Sequence, residues 1–285
     1  MSKGKVVKDL MICPVAKLEK VLLSTDGSEL SEGAVRESIA LAKTCGSKLY
    51  AISVVEVNPE FEALAPGLVE KMEKETRQYL ESVKERASKE GADCEIIVHE
   101  GEEPYQYIVD EAARNNVEMI IMGRRGRTGL KRVMMGSVTA KVIGHAPCKV
   151  LVVPKAATVA YKKILIATDG SKYSEAASRE AISIAKRCGS DMIAISVATK
   201  DKNLPAAKKS VNEVKKIAEK EGIKIEVLTP KGTPYEVIVE TAEKKDADVI
   251  FVGSHGRTGI ERLFMGSVTE RVIGYTNSAV MVVKA

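Results

Sequence analysis

Lys20–Val54 reads KVLLSTDGSELSEGAVRESIALAKTCGSKLYAISV, and Lys163–Val197 reads KILIATDGSKYSEAASREAISIAKRCGSDMIAISV. Identity at most positions over so long a run marks the chain as a duplication. A second matched pair carries the repeat to the end of each copy: MIIMGRRGRTGLKRVMMGSVTAKVIGHAPCKVLVV from Met119, and VIFVGSHGRTGIERLFMGSVTERVIGYTNSAVMVV from Val249. The offset between equivalent residues falls from 143 (Asp26 to Asp169) to 130 (Gly123 to Gly253). The first copy therefore holds thirteen extra residues, placed near Asn58 to Gln78. The stretch AATVAYKK around Ala156 has no periodicity of its own and follows one apolar run just before the next. It sets a boundary near Ala160, giving a first domain over 1–160 with an N-terminal arm and a second over 161–285.

Within each copy, short apolar runs alternate with helical periodicity. The first copy gives VLLST, a helix from about Ser28 to Cys45, YAISVV, a long charged helix ending near Gly91, and EIIVHE. A helix after Pro104, then MIIMG, a glycine loop, a helix from about Ser137 to Gly144, and KVLVV complete it. The second copy repeats the order as ILIAT, MIAISV, KIEVL, VIFVG and VMVV. Five strands alternating with four helices predict a parallel, doubly wound, Rossmann-like α/β domain. Continuous Val and Ile runs fit strands covered on both faces. Pro104 and Pro234 suit first helical turns, while Gly46 and Gly189 suit C-caps.

Composition narrows the class. The chain has 285 residues, 45% of them hydrophobic, with three Phe and no Trp, so the cores are aliphatic. The net charge of +5 is interleaved along the chain and indicates no nucleic-acid partner. The longest apolar run is too short for a bilayer, and the first twenty residues lack a signal-peptide core, so they read as an arm with a short strand or helix. Five cysteines with no C-x-x-C pair predict neither a disulfide framework nor zinc, and a reducing cytoplasm fits them. Cys45 and Cys188, matched at a helix end in both copies, read as packing residues, with redox sensing the alternative. His99, His145 and His255 lie far apart and predict no metal centre. The Lys/Glu-rich helices from Lys71 to Lys89 and Lys208 to Lys220 read as solvated faces.

The chemistry concentrates at two places per copy. Gly123-Arg124-Arg125-Gly126, nine residues, then Gly136-Ser137 follow a strand in the first copy. Gly253-Ser254-His255-Gly256, nine residues, then Gly266-Ser267 do so in the second. Glycines permit positive φ and let backbone amides approach phosphate oxygens, and Ser137 and Ser267 open a helix whose first amides and dipole favour an anion. Val138 and Thr139, with Val268 and Thr269, complete those first turns, the threonines adding hydroxyls. At the end of the first strands stand Thr25-Asp26-Gly27-Ser28 and Thr168-Asp169-Gly170-Ser171, at the carboxyl edge where open α/β sheets hold ligands. Asp26 and Asp169 can accept ribose hydroxyls. Val54 and Val197, ending the second strands, can flank a purine with apolar surface and backbone hydrogen bonds. Each has a plainer reading: the aspartates as turn and cap residues, the glycines as turn formers, the valines as core. Arg125 and His255 flank glycines and present backbone. Arg127, Arg257, Arg132 and Arg262 either reach phosphates or a neighbouring domain, or are solvated.

The G-x2-G-x9-G-S spacing, the strand-one aspartate and the valine-rich closing strand resemble the ATP-binding branch of the universal stress protein family, over nearly the whole chain, twice. The resemblance implies a five-stranded fold related to the adenine nucleotide alpha hydrolases. It implies that Asp26 and Asp169 hold ribose or adenine, Val54 and Val197 adenine, and the glycines with Ser137 and Ser267 the phosphates. The ligand implied is ATP or AMP, with Mg²⁺ accompanying ATP. The second copy keeps the family's frequent G-S-H-G form, while the first departs from it at Arg124 and Arg125. Family domains pair through their last strand, so KVLVV and VMVV are expected to join the copies as an internal pseudo-dimer, with a homodimer of the whole chain left open.

Three functions stay open at this point. One is a nucleotide-responsive stress or regulatory protein, which needs no catalyst. A second is a slow ATP hydrolase or adenylyl-handling enzyme of the same α/β group. Against it, the sequence has no G-x4-G-K-[ST] loop, no S-G-G-x-D-S loop, no H-x-G-H pair and no evident general base. Positioning and Mg²⁺ alone can still drive slow phosphoryl transfer. A third is a scaffold with vestigial sites.

Overall fold

A computed structural model describes residues 12–126, 135–256 and 265–285. The first copy runs β1 (Lys20–Ser24), α1 (Glu32–Cys45), β2 (Lys48–Glu56), α2 (Pro59–Leu64), α3 (Pro66–Glu90), β3 (Cys94–Gly101), α4 (Pro104–Arg114), β4 (Met119–Gly123), α5 (Ser137–His145) and β5 (Lys149–Val153). The second runs β6 (Lys163–Ala167), α6 (Lys172–Cys188), β7 (Asp191–Ile195), α7 (Leu204–Lys220), β8 (Ile225–Leu228), α8 (Pro234–Lys244), β9 (Val249–Gly253), α9 (Ser267–Tyr275) and β10 (Ala279–Val283). Pro104 and Pro234 open their helices as expected, and Gly46 and Gly189 cap theirs in the left-handed region.

The strands form one sheet in the order β3-β2-β1-β4-β5-β10-β9-β6-β7-β8. Pairing is parallel within each half and antiparallel where the halves meet, with Leu151 opposite Met281. The last strands do join the copies. Strand residues alternate between two aliphatic layers. One holds Leu23, Ile39, Leu80, Ile182 and Val211 beneath α1, α3, α6 and α7; the other holds Leu22, Ile120, Ile143, Ile250 and Ile273 beneath α4, α5, α8 and α9. Each such fully buried aliphatic side chain contributes about 1.5–3 kcal/mol.

Several expectations need correction. Equivalent residues of α3 and α7 that face the sheet are Leu80 and Val211, Val83 and Val214, and Ala87 and Ala218, all buried at an offset of 131. So twelve extra residues precede that helix core, forming α2 and the start of α3, and the thirteenth is an added residue in the Gly101-Glu102-Glu103-Pro104 turn, where the second copy has Gly232-Thr233-Pro234. Strand β2 also runs past Val54 to Glu56, whereas β7 stops at Ile195, before Val197. Residues 12–19 form neither strand nor helix, yet Val15 and Leu18 are buried in the core.

The cysteine reading fails in part. Cys13 and Cys45 form a disulfide, and Cys188, the counterpart of Cys45, is exposed rather than packed. The pairing depends on the arm docking beside the end of α1, where Ser47 Oγ donates to Leu18 O. With this disulfide in place, cysteine usage no longer points to a reducing compartment. Among the described residues no helix is long and apolar enough to cross a membrane, and no cluster of metal-binding side chains occurs.

After β5, residues 154–162 run along α1: Arg36 donates to Ala157 O and Val159 N donates to Glu37 Oε2 at 3.2 Å. A Cβ on Gly33 would sit 2.4 Å from Pro154 O, so only glycine lets the connection lie this close.

Candidate functional site

In each half the chain reverses its direction of travel across the sheet after its third strand, opening a crevice between β1 and β4 and between β6 and β9. Such switch points, at the carboxyl ends of the strands, are where open α/β sheets bind ligands.

In the second copy the crevice is a cavity of about 390 Å³, within the range of small-ligand sites. Thr168, Asp169, Val197, Gly253, His255 and Gly256 line it, with Gly266 to Thr269 closing the far side. The sequence-predicted residues of this copy therefore converge, apart from Arg257, which lies outside the described residues, as do Arg127, Arg132 and Arg262. Sequence reading missed the contribution of α7, whose Ala206, Ala207 and Ser210 form another wall.

Local chemistry fixes the acidic corner. Gly170 has φ 77°, which turns the chain so that Ser171 N donates to Asp169 Oδ1 at 3.0 Å. Gly27, with φ 74°, does the same for Asp26, whose Oδ1 accepts from Ser28 N at 3.0 Å and Ser28 Oγ at 2.7 Å. The second oxygen of each carboxylate faces the glycine loop: a Cβ on Gly126 would lie 2.7 Å from Asp26 Oδ2, and one on Gly256 2.8 Å from Asp169 Oδ2. Gly126 and Gly256 thus leave room for these carboxylates, whereas a Cβ on Gly136 or Gly266 would meet nothing closer than 3.5 Å. None of Gly123, Gly126, Gly136, Gly253, Gly256 and Gly266 has positive φ, contrary to the expectation from sequence. Gly253 is the tightest, since a Cβ there would meet Tyr173 C at 2.7 Å and Ser174 N at 2.8 Å.

Gly136 and Gly266 are extended N-caps, and their amides donate to Arg124 O and Ser254 O, both at 2.9 Å. That bond ties each loop back onto the start of α5 or α9 and leaves Ser137 and Ser267 exposed at the helix N-terminus, where amides and dipole favour an anion. Thr139 and Thr269 are buried, and their hydroxyls donate to Gly123 O at 3.1 Å and Gly253 O at 2.9 Å. They brace the loop. Val138 is half-buried and Val268 is exposed beside them. His255 Nδ1 lies 3.1 Å from Ser254 Oγ, with its ring against Tyr173.

The first copy has the same corner but different surroundings. Arg124 Nη1 leaves its loop to meet Gly274 O at 3.1 Å and Thr276 O at 2.8 Å, in the second copy. Thr25 Oγ1 lies 2.8 Å from Ser31 Oγ and 3.1 Å from Tyr79 Oη, and burial raises the Tyr79 phenol above its usual range. Val54 pairs with His99 across β2 and β3 and packs half-buried on the core, as Val197 does, and Val197 also lines the cavity of the second copy.

Comparison with known proteins gives the family and the fold. The sequence pattern of the Universal stress protein family matches residues 17–154 and again 160–284. A universal stress protein of Methanocaldococcus jannaschii is 42% identical over 140 residues, covering 44% of this chain and 82% of the relative. One of Mycolicibacterium smegmatis is 27% identical over 291 residues, covering 93% of this chain and 96% of the relative. The crystal structure of a universal stress protein from Archaeoglobus fulgidus superposes with a TM-score of 0.76 over 94% of this chain and 99% of that one, at 24% identity. That likeness shows the tandem fold.

Proposed function

The chain belongs to the universal stress protein family, and from that premise we propose that it is an adenine-nucleotide-binding regulatory protein whose response to ATP or AMP is a change of structure or partner affinity. One domain would extend to about Ala160 and the other from there, each with one crevice. The observation that carries the reading is the convergence of Asp169, Val197, the Gly253–Gly256 turn and the amino end of α9 on one cavity.

Each group suits one part of a nucleotide. Asp169, oriented by Ser171 N, would accept ribose hydroxyls or an adenine amine through the oxygen facing the loop. Val197 would give an apolar wall and backbone groups for the base. Gly256, Gly266, Ser267 and the first amides of α9 would receive phosphates, with Mg²⁺ entering alongside ATP. Arg257 would add a cation there. Asp26, Val54, Gly123, Arg125, Gly126, Gly136 and Ser137 are the counterparts in the first copy.

Calorimetric titration of the full chain with ATP, ADP and AMP in Mg²⁺, with phosphate assayed in the same cell, tests the reading. Saturable binding without turnover supports it. Rapid phosphate release favours an enzyme, and absence of binding to any nucleotide favours a scaffold.

A further inference from the structure

The two crevices differ along the wall that α7 gives to the second copy and α3 to the first. Register along α3 and α7 is fixed by the buried pairs Leu80 and Val211, Val83 and Val214, and Ala87 and Ala218. The same offset makes Tyr79 the counterpart of Ser210, Thr76 of Ala207 and Glu75 of Ala206. In the second copy Ala206, Ala207 and Ser210 line the cavity together with Thr168 and Ser174. In the first copy the Tyr79 ring crosses that same space, for its hydroxyl stands 3.1 Å from Thr25 Oγ1, the counterpart of Thr168. An aromatic ring covers roughly 150–250 Å² of surface and replaces one small hydroxymethyl group here.

The inserted residues reinforce the closure. Val57 and Val69, which border the insertion, pack with Val55 into a small apolar cluster, and Met72 packs against it. Met72 is the counterpart of Asn203, which lines the open cavity of the second copy. Both changes act on one corner.

Building on the nucleotide reading of the second crevice, we infer that Tyr79 closes the first one, so that the tandem chain takes one adenine nucleotide, in its second copy, and Tyr79 against Ser210 is the residue pair that sets this asymmetry. The first copy keeps the glycine loop as a structural element.

The test is ATP stoichiometry on the full chain by calorimetry, with each variant's melting curve recorded. The wild type should bind one ATP, Tyr79→Ser two, and Ser210→Tyr none or at least tenfold more weakly. Tyr79→Phe, which keeps the ring and loses the Thr25 bond, should stay at one. Two equivalent sites in the wild type, or one site in a folded Tyr79→Ser chain, would overturn the inference while leaving nucleotide binding intact. Full affinity in Ser210→Tyr would do the same, and it remains decisive should Tyr79→Ser not fold. No binding by any of the chains would overturn the nucleotide reading and this inference with it.

Discussion

Arg124 and Thr276 join the glycine loop of one copy to the last helix of the other: the Arg124 guanidinium donates to Thr276 O at 2.8 Å, and the same nitrogen meets Gly274 O at 3.1 Å. These are terminal carbonyls of α9, which have no partner within the helix, and a cation there also suits the helix dipole. The equivalent carbonyls of α5, Gly144 O and Ala146 O, accept from Lys284 Nζ at 2.8 and 2.7 Å. Each half thus caps the other's last helix, with a cation drawn from a different part of the repeat. Burial lowers the pKa of both cations, so the bonds are made in a partly desolvated seam.

Arg124→Ala should destabilise the chain by about 1.5–3 kcal/mol, the usual worth of hydrogen bonds to a charged group. Arg124→Lys should lose much less, because a single nitrogen makes both bonds and Lys284 already does that task on the other side. Urea unfolding of the three chains checks this. Equal losses for Ala and Lys would mean that the guanidinium plane, not the charge, matters.

Thiol counts test the disulfide. Denatured without reductant, the chain should show three reactive thiols, and with reductant five. In the native state Cys188 should react first, since it is exposed, while burial pushes the Cys94 and Cys148 thiols up to about 11 and keeps them slow. Closing a loop over a separation of 32 residues gives roughly 3–4 kcal/mol in the chain-entropy account. Cys45→Ala should lower the melting temperature accordingly, and five free thiols in oxidised protein would contradict the pairing.

What could be read from sequence divides along physical lines. The repeat and the period of its apolar runs disclosed ten strands and their alternation with helices, because burial on both faces of a parallel sheet writes itself into consecutive Val and Ile residues. The convergence of Asp169 with Gly253 and Gly256 was also legible, since both lie at strand ends on one edge. The Cys13–Cys45 bond was not, because it depends on where an arm without regular structure docks. Nor was the reason for the loop glycines, whose tight neighbours Tyr173 and Asp169 come from elements remote in sequence. Tyr79 escaped notice because the insertion shifts its register against Ser210 from 143 to 131, hiding the comparison until helix burial restored it.

The two glycines of the second loop should fail differently. At Gly253 an added Cβ meets backbone atoms of Tyr173 and Ser174, which cannot move without shifting α6, so Gly253→Ala should cost about 1–3 kcal/mol of stability as overpacking does. At Gly256 the obstacle is the Asp169 carboxylate, the movable end of a side chain. Gly256→Ala should leave the melting temperature nearly unchanged and weaken ATP binding at least tenfold by displacing that oxygen. Normal ATP affinity in Gly256→Ala would show that Asp169 does not hold the ligand.

Asp248 gives a pH signature. Its Oδ2 accepts from Lys162 N at 2.8 Å and Lys163 N at 3.1 Å, while the buried Oδ1 has no partner among the described residues. Burial raises its carboxyl above the usual carboxylate range, and the amides of Lys163, Lys162 and Tyr161 oppose the shift. A folded pKa above the unfolded one means that the folded chain binds the proton more tightly. This group's contribution is therefore fully present below about pH 4, is lost as pH rises through the folded pKa, and is flat beyond it. Asp248→Asn, neutral at every pH and still able to accept from both lysine amides, removes that slope. Its stability relative to the wild type should rise between pH 3 and pH 7. Urea midpoints for both chains across that interval measure the difference, and a constant offset would mean that Asp248 has the same pKa folded and unfolded.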